Sequence, residues 1–161
     1  MSAPQWLPDK VDYYNDFGSN WTSFVNHLYE IFKTDIRDNS NFTFEGKKIL
    51  YDKAFGQNSK ENGFWHLVTR KDDKTGQRDP DFLRAEKLPW GRPIIENCSD
   101  LEVLNWKNKR GSKIKIYLWL KNFDYVVILK EHKRDCVLLT AYHIDQLYMV
   151  RQLNRKYSKR I

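Results

Sequence analysis

Cysteine is scarce in this chain. Two residues, Cys98 and Cys136, among 161 leave no disulfide framework to be read. Long apolar runs are missing, and nothing approaches the roughly 18 residues of a membrane span, so no membrane partner is expected. The start, Met1-Ser-Ala-Pro-Gln-Trp-Leu-Pro, has neither a basic n-region nor an apolar h-region. With so few cysteines, that pattern predicts a cytoplasmic protein without a secretory signal. The four histidines, His27, His66, His132 and His143, are scattered, with no CxxC, HxH or HExxH spacing. Gly-rich phosphate loops, GxGxxG and GxSxG are also lacking. The expectation is therefore no metal site and no cofactor.

What the chain has is aromatic bulk and an uneven charge. Six Trp, nine Tyr and nine Phe, with 40% hydrophobic residues, are enough for a real core, and the length suits one domain. Residues 101–161 carry 14 Lys or Arg against 5 Asp or Glu, a net of +9, while residues 1–100 carry 14 against 16, a net of −2. A basic third of this kind suits a polyanion, of which nucleic acid is the commonest in a cell.

The periodicity changes along the chain. Residues 1–19 read as an N-terminal arm. From Asn20 to Ile36, Trp21, Phe24, Val25, Leu28, Ile31, Phe32 and Ile36 recur at helical spacing, with Asn20 as N-cap. Phe42–Phe44 and Lys48–Tyr51 suit short strands. Gly63–Arg70 is an apolar run that suits a strand or a buried helical turn equally. Asp79-Pro80 reads as a helix start that must stop before Pro89. Beyond residue 100 the period becomes two. Ile114, Ile116, Leu118 and Leu120 alternate with Lys113, Lys115, Tyr117 and Trp119, and Val137, Leu139 and Ala141 alternate with Leu138, Thr140 and Tyr142. Four strands are expected at 101–108, 113–120, 124–131 and 135–144, followed by a basic helix from about Leu147 to Lys159. The expected fold is α+β: one domain over 20–161, with N-terminal helices packed on a four-stranded antiparallel sheet.

Chemistry without a metal remains open to such a chain. RNA carries its own nucleophile, the 2′-hydroxyl, so cleavage needs a base, an acid and fixed positive charge. Histidine titrates closest to neutrality, and Arg, Lys and hydroxyl groups hold phosphate. His66 with Arg70 four residues on, and Thr140 with Tyr142 two apart on a strand, supply those types. The structural readings stand beside the functional ones. His66 suits a core position between Trp65 and Leu67, and Arg70 can simply open a solvated loop. Arg84 and Arg92 suit a helix surface, and Thr140 and Tyr142 suit sheet packing. Trp90 and Trp119 suit the core, and the terminal helix suits a solvated face.

Five segments resemble a known family: Gly63-Phe-Trp-His-Leu-Val-Thr-Arg, Asp79-Pro-Asp-Phe-Leu-Arg-Ala-Glu, Leu88-Pro-Trp-Gly-Arg-Pro-Ile-Ile-Glu-Asn, Ile116-Tyr-Leu-Trp-Leu and Leu138-Leu-Thr-Ala-Tyr-His-Ile. They look like those of phage- and plasmid-borne domains of the barnase–EndoU–colicin–RelE (BECR) superfamily of nucleases, over roughly residues 20–159. The resemblance implies helices on a four-stranded antiparallel sheet and metal-independent endoribonuclease activity, often as a toxin. It also implies RNA as substrate, tRNA included, and a neutralising immunity or antitoxin protein as partner. The family's histidine, basic residues and late-strand hydroxyl match His66, Arg70, Arg84 and Thr140, with Tyr142 as an additional member. Lys113, Lys115, Trp119, Arg151, Arg155, Lys156 and Lys159 are the expected nucleic-acid contacts. The alternative is an RNA- or protein-binding module on the same scaffold without turnover.

Overall fold

The computed structural model describes residues 2–161. Two short helices open the chain, α1 (Tyr13–Phe17) and α2 (Trp21–Phe32), the second running on into a wide π-turn at Lys33–Arg37. Asn20 caps α2 as expected, its side-chain oxygen accepting from the Ser23 N–H at 3.1 Å. Next come β1 (Thr43–Phe44), β2 (Lys47–Leu50) and α3 (Asn62–Val68). A hairpin follows, β3 (Thr69–Lys71) with β4 (Arg78–Pro80), and then α4 (Phe82–Glu86) and α5 (Gly91–Glu96). The meander β5 (Leu104–Arg110), β6 (Lys113–Leu120), β7 (Tyr125–Glu131) and β8 (Asp135–His143) leads to the terminal helix α6 (Leu147–Ser158).

The expected four-stranded antiparallel sheet is overturned. The sheet has six strands in the order β1-β2-β8-β7-β6-β5 and is mixed, because β2 runs parallel to β8. Its four-strand meander is antiparallel, as read, but Ile49 docks beside Cys136 and brings the β1–β2 hairpin onto the free edge of β8. A separate two-stranded sheet, β3–β4, accounts for a second departure. Asp79 and Pro80 lie in a strand, and the acid that caps α4 is Asp81, which accepts from the Arg84 N–H at 3.1 Å.

The sheet is covered on both faces. Ile116, Leu118, Leu120, Val127, Leu129 and Leu138 pack with Phe24, Leu28, Phe32, Phe64 and Ile94 from the N-terminal helices. Trp106, Tyr117, Trp119, Val126 and Ile128 face the other way and pack under α6 through Leu153, with Met149, Val150 and Tyr157 around it. The β6 alternation is therefore as read. That of β8 is broken: Leu129 pairs with Leu138 and Ile128 with Thr140, so Leu139 is an extra residue in a β-bulge. The bulge puts Leu138 and Ala141, three apart, in the same core layer.

Candidate nucleic-acid interface

Strand β8 outruns its neighbour. β2 pairs only with Asp135–Val137, so the rest of that edge of β8 is met by helices. α3 docks there, and the Thr140 hydroxyl donates to the His66 carbonyl at 3.0 Å. α4 follows, and its Arg84 guanidinium lies over the Tyr142 ring at 5.5 Å. His66, Arg84, Thr140 and Tyr142 come together at this edge, although they are up to 76 residues apart in the chain. Arg70, exposed on β3, stands close enough for its charge to act on Arg84.

The cluster is built on the end of a helix. Arg84 Nη1 donates to the carbonyls of His66 (3.2 Å) and Thr69 (2.7 Å). Arg78 donates through Nε to Thr69 Oγ1 at 2.8 Å and through Nη2 to the Thr69 carbonyl at 3.0 Å. Cations at a helix C-terminus are favourable, so part of this arrangement caps α3. The charge exceeds that need. Of Arg70, Arg78 and Arg84, only Arg84 meets a carboxylate within 4 Å among the described residues, its Nε lying 3.4 Å from Asp81. That contact lacks hydrogen-bond geometry, so the buried Nε makes no hydrogen bond. Burial and then the Arg78 guanidinium push the half-buried His66 imidazole below its usual pKa, against the opposing pull of Asp52. Burial likewise pushes the Tyr142 phenol up, which keeps its proton in place.

Away from this edge, the strands β5, β6 and β7 carry a basic face. Lys115 pairs across strands with Lys130, and Arg110 with Lys113. Like charges directly opposite one another are unfavourable in a sheet, which marks this face as one that gains from an anion. Among the described residues, Lys107 is the one cation after residue 100 whose Nζ meets a carboxylate within 4 Å, Glu45 and Glu131 both being in reach. Two neighbouring grooves, of about 620 and 530 Å³, share Asn108, Arg110 and Lys156. Gln152, Arg155 and Lys159 of α6 line the first, and Lys113, Lys115 and Tyr117 the second.

No family model, curated protein or solved structure matches this chain. The site therefore rests on its own geometry. Lys113, Lys115, Arg151, Arg155, Lys156 and Lys159 are exposed, and all but Arg151 border these grooves. Trp119 is different: at 1% exposure it lies under α6 and presents no ring to a base. Among the described residues no three His, Cys, Asp or Glu side chains gather as a metal-holding group, and no helix is long and apolar enough to cross a membrane.

Sequence reading missed Arg78, Arg110 and Lys130. It also missed a pair at the C-terminal end of β8, the buried Lys87 with the half-buried His143. There Lys87 Nζ lies 2.7 Å from His143 Nδ1 and donates to the Phe123 carbonyl at 3.0 Å. The register of Lys130 was available in the Asn122-Phe123 turn, since counting back from that turn sets it opposite Lys115. Arg78 carried no such signal, because its place depends on α3 and the β3–β4 hairpin meeting.

Proposed function

We propose that this protein is an RNA-binding, metal-independent endoribonuclease. The carrying observation is the convergence of His66, Arg78 and Arg84, with Arg70 near Arg84, at the edge of β8 that α3 and α4 cover, on a sheet whose strands β5–β7 carry a basic face with few ion pairs. The phosphate backbone lies along the grooves between α6 and the β5–β6 hairpin and reaches the β8 edge. Neutral His66 takes the 2′-hydroxyl proton as the 2′-oxygen attacks the adjacent phosphorus. The arginines stabilise the charge that develops on the non-bridging oxygens. The P–O5′ bond breaks, and Tyr142, which keeps its phenolic proton, delivers it to the leaving oxygen. The products are a 2′,3′-cyclic phosphate and a 5′-hydroxyl. The resemblance to BECR nucleases points the same way.

The test is incubation with RNA in EDTA. Cleavage should proceed and leave cyclic phosphate ends, and His66→Ala should lower the rate by roughly 10²–10⁴-fold, the usual worth of general acid–base catalysis. Activity that stops with chelator and returns with magnesium, or a His66→Ala variant at full rate, overturns this reading. One observation favours the second reading, a binding module without turnover. The Thr140 hydroxyl and Arg84 Nη1 are already engaged by backbone carbonyls. Tight RNA binding with intact RNA after long incubation is its signature.

A further inference from the structure

We propose that Tyr148 is a base-stacking platform, which makes single-stranded RNA the substrate class of the His66 cluster; the inference rests on the ribonuclease reading above. The first turn of α6 is unlike the rest of the helix. Leu147 and Tyr148 are 63% and 59% exposed, whereas Leu153, further along, is buried against the sheet. A tyrosine left in water at the start of an otherwise docked helix is free to take a planar ligand.

Its surroundings say which ligand. Tyr148, Gln152, Arg155 and Lys159 recur at helical spacing on α6, and the last three line the larger groove. Tyr148 therefore heads the stripe of α6 that borders the phosphate track. Its phenol is close enough for its charge to act on Tyr142, whose ring carries Arg84. An exposed ring on the same helix stripe as Arg155 and Lys159 suits a base whose neighbouring phosphates are held along that stripe. In an A-form duplex the bases are stacked on each other and cannot reach such a ring. In a single strand one base can turn out and stack, which also loosens the backbone for in-line attack.

The experiment measures binding in the His66→Ala background, so that no probe is consumed. The probes are a short single-stranded RNA, the same sequence closed in a hairpin duplex, and an abasic ribose-phosphate oligomer of equal length. Added Tyr148→Ala should weaken binding of the single strand about tenfold, within the range for a stacked base. Tyr148→Phe should keep it, and affinity for the abasic oligomer should not change. The duplex should bind more weakly than the single strand. An equal loss on the abasic oligomer, a Phe variant no better than Ala, or a duplex bound as tightly as the single strand overturns the inference. Parallel cleavage assays with His66 intact separate it from the functional reading. RNA cleaved normally by Tyr148→Ala, with unchanged binding, removes the platform and leaves the nuclease. A tenfold binding loss in a protein that never cleaves leaves the platform and removes the nuclease. Failure to bind any of the probes overturns both.

Discussion

Lys87 is the residue whose environment most changes its chemistry. It is 8% exposed, sits over the Trp90 ring at 4.8 Å, and has His143 Nδ1 as a neighbour. Burial pushes its pKa down to about 8 from 10.5, with Asp124 opposing and Lys10 assisting. The folded value is the lower one, so the stability Lys87 contributes is fully present above pH 10.5 and is lost as pH falls through about 8. His143, itself pushed down by burial and by Lys87, acts in the same direction at lower pH. Lys87→Met removes this penalty together with the bond to Phe123. Whatever the absolute change, the variant should gain about 1 kcal/mol relative to wild type between pH 9 and pH 6. Urea denaturation at the two pH values checks this, and an equal difference at both would show that Lys87 is not buried as described. Nothing in the sequence around Lys87 distinguishes it from a surface lysine; its burial comes from Trp90, Phe123 and His143 arriving from three other elements. His66, by contrast, was a candidate in the sequence because histidine titrates closest to neutrality and Arg70 follows four residues on.

At the scale of elements, local physics decided much and neighbours decided the rest. Asn20, the stripe of α2 and the alternation of β6 follow from capping and period, which need no partner. The Gly63–Arg70 run was ambiguous because an eight-residue, mostly apolar segment fits a helix or a strand. It proves to be both, α3 passing into β3 at Thr69, whose hydroxyl donates to the Trp65 carbonyl at 2.5 Å. The bulge at Leu139 was invisible, since one extra residue in β8 matters only against β7. α6 depends on the far face of the sheet. Leu153 is its fully buried anchor, and Asn108 Nδ2 donates to the Lys156 carbonyl at 2.8 Å near its end. Leu153→Ala should cost roughly 2–5 kcal/mol, the usual range for a buried leucine. Because Trp106 and Trp119 lie beneath this helix, their fluorescence should shift to the red well before global unfolding. A variant with wild-type stability would mean that α6 is not docked through this residue.

For the whole molecule the decisive property is the separation of charge. Lys107 is bound to Glu45 and Glu131, and among the described residues the other Lys and Arg side chains of the C-terminal third have no carboxylate partner and, Lys130 apart, are exposed. If about four phosphates of a single strand are neutralised, log K should fall with log salt at a slope of roughly −3. Replacing Arg155 and Lys156 by Gln should weaken binding to all sequences alike and flatten that slope by roughly 1 to 1.4. A salt titration on a short labelled RNA with His66→Ala reads both quantities. A salt-independent affinity, or a slope unchanged in the double variant, would leave the grooves as an ordinary solvated surface.

The net +9 of residues 101–161, the capped helix at Asn20 and the four-strand meander are properties of composition and short-range period, so the amino-acid order alone determined them. The six-stranded mixed sheet is not of that kind. Its parallel β2–β8 contact joins Ile49 to Cys136, and no turn between them sets a register, so only packing against the shared core selects it. The same holds for the cluster at the β8 edge. His66, Arg78, Arg84 and Thr140 meet because β2 stops at Leu50 and leaves hydrogen-bonding edge for α3 and α4 to cover. Residue types pointed to His66 and Thr140 separately; the tertiary structure alone placed one against the other.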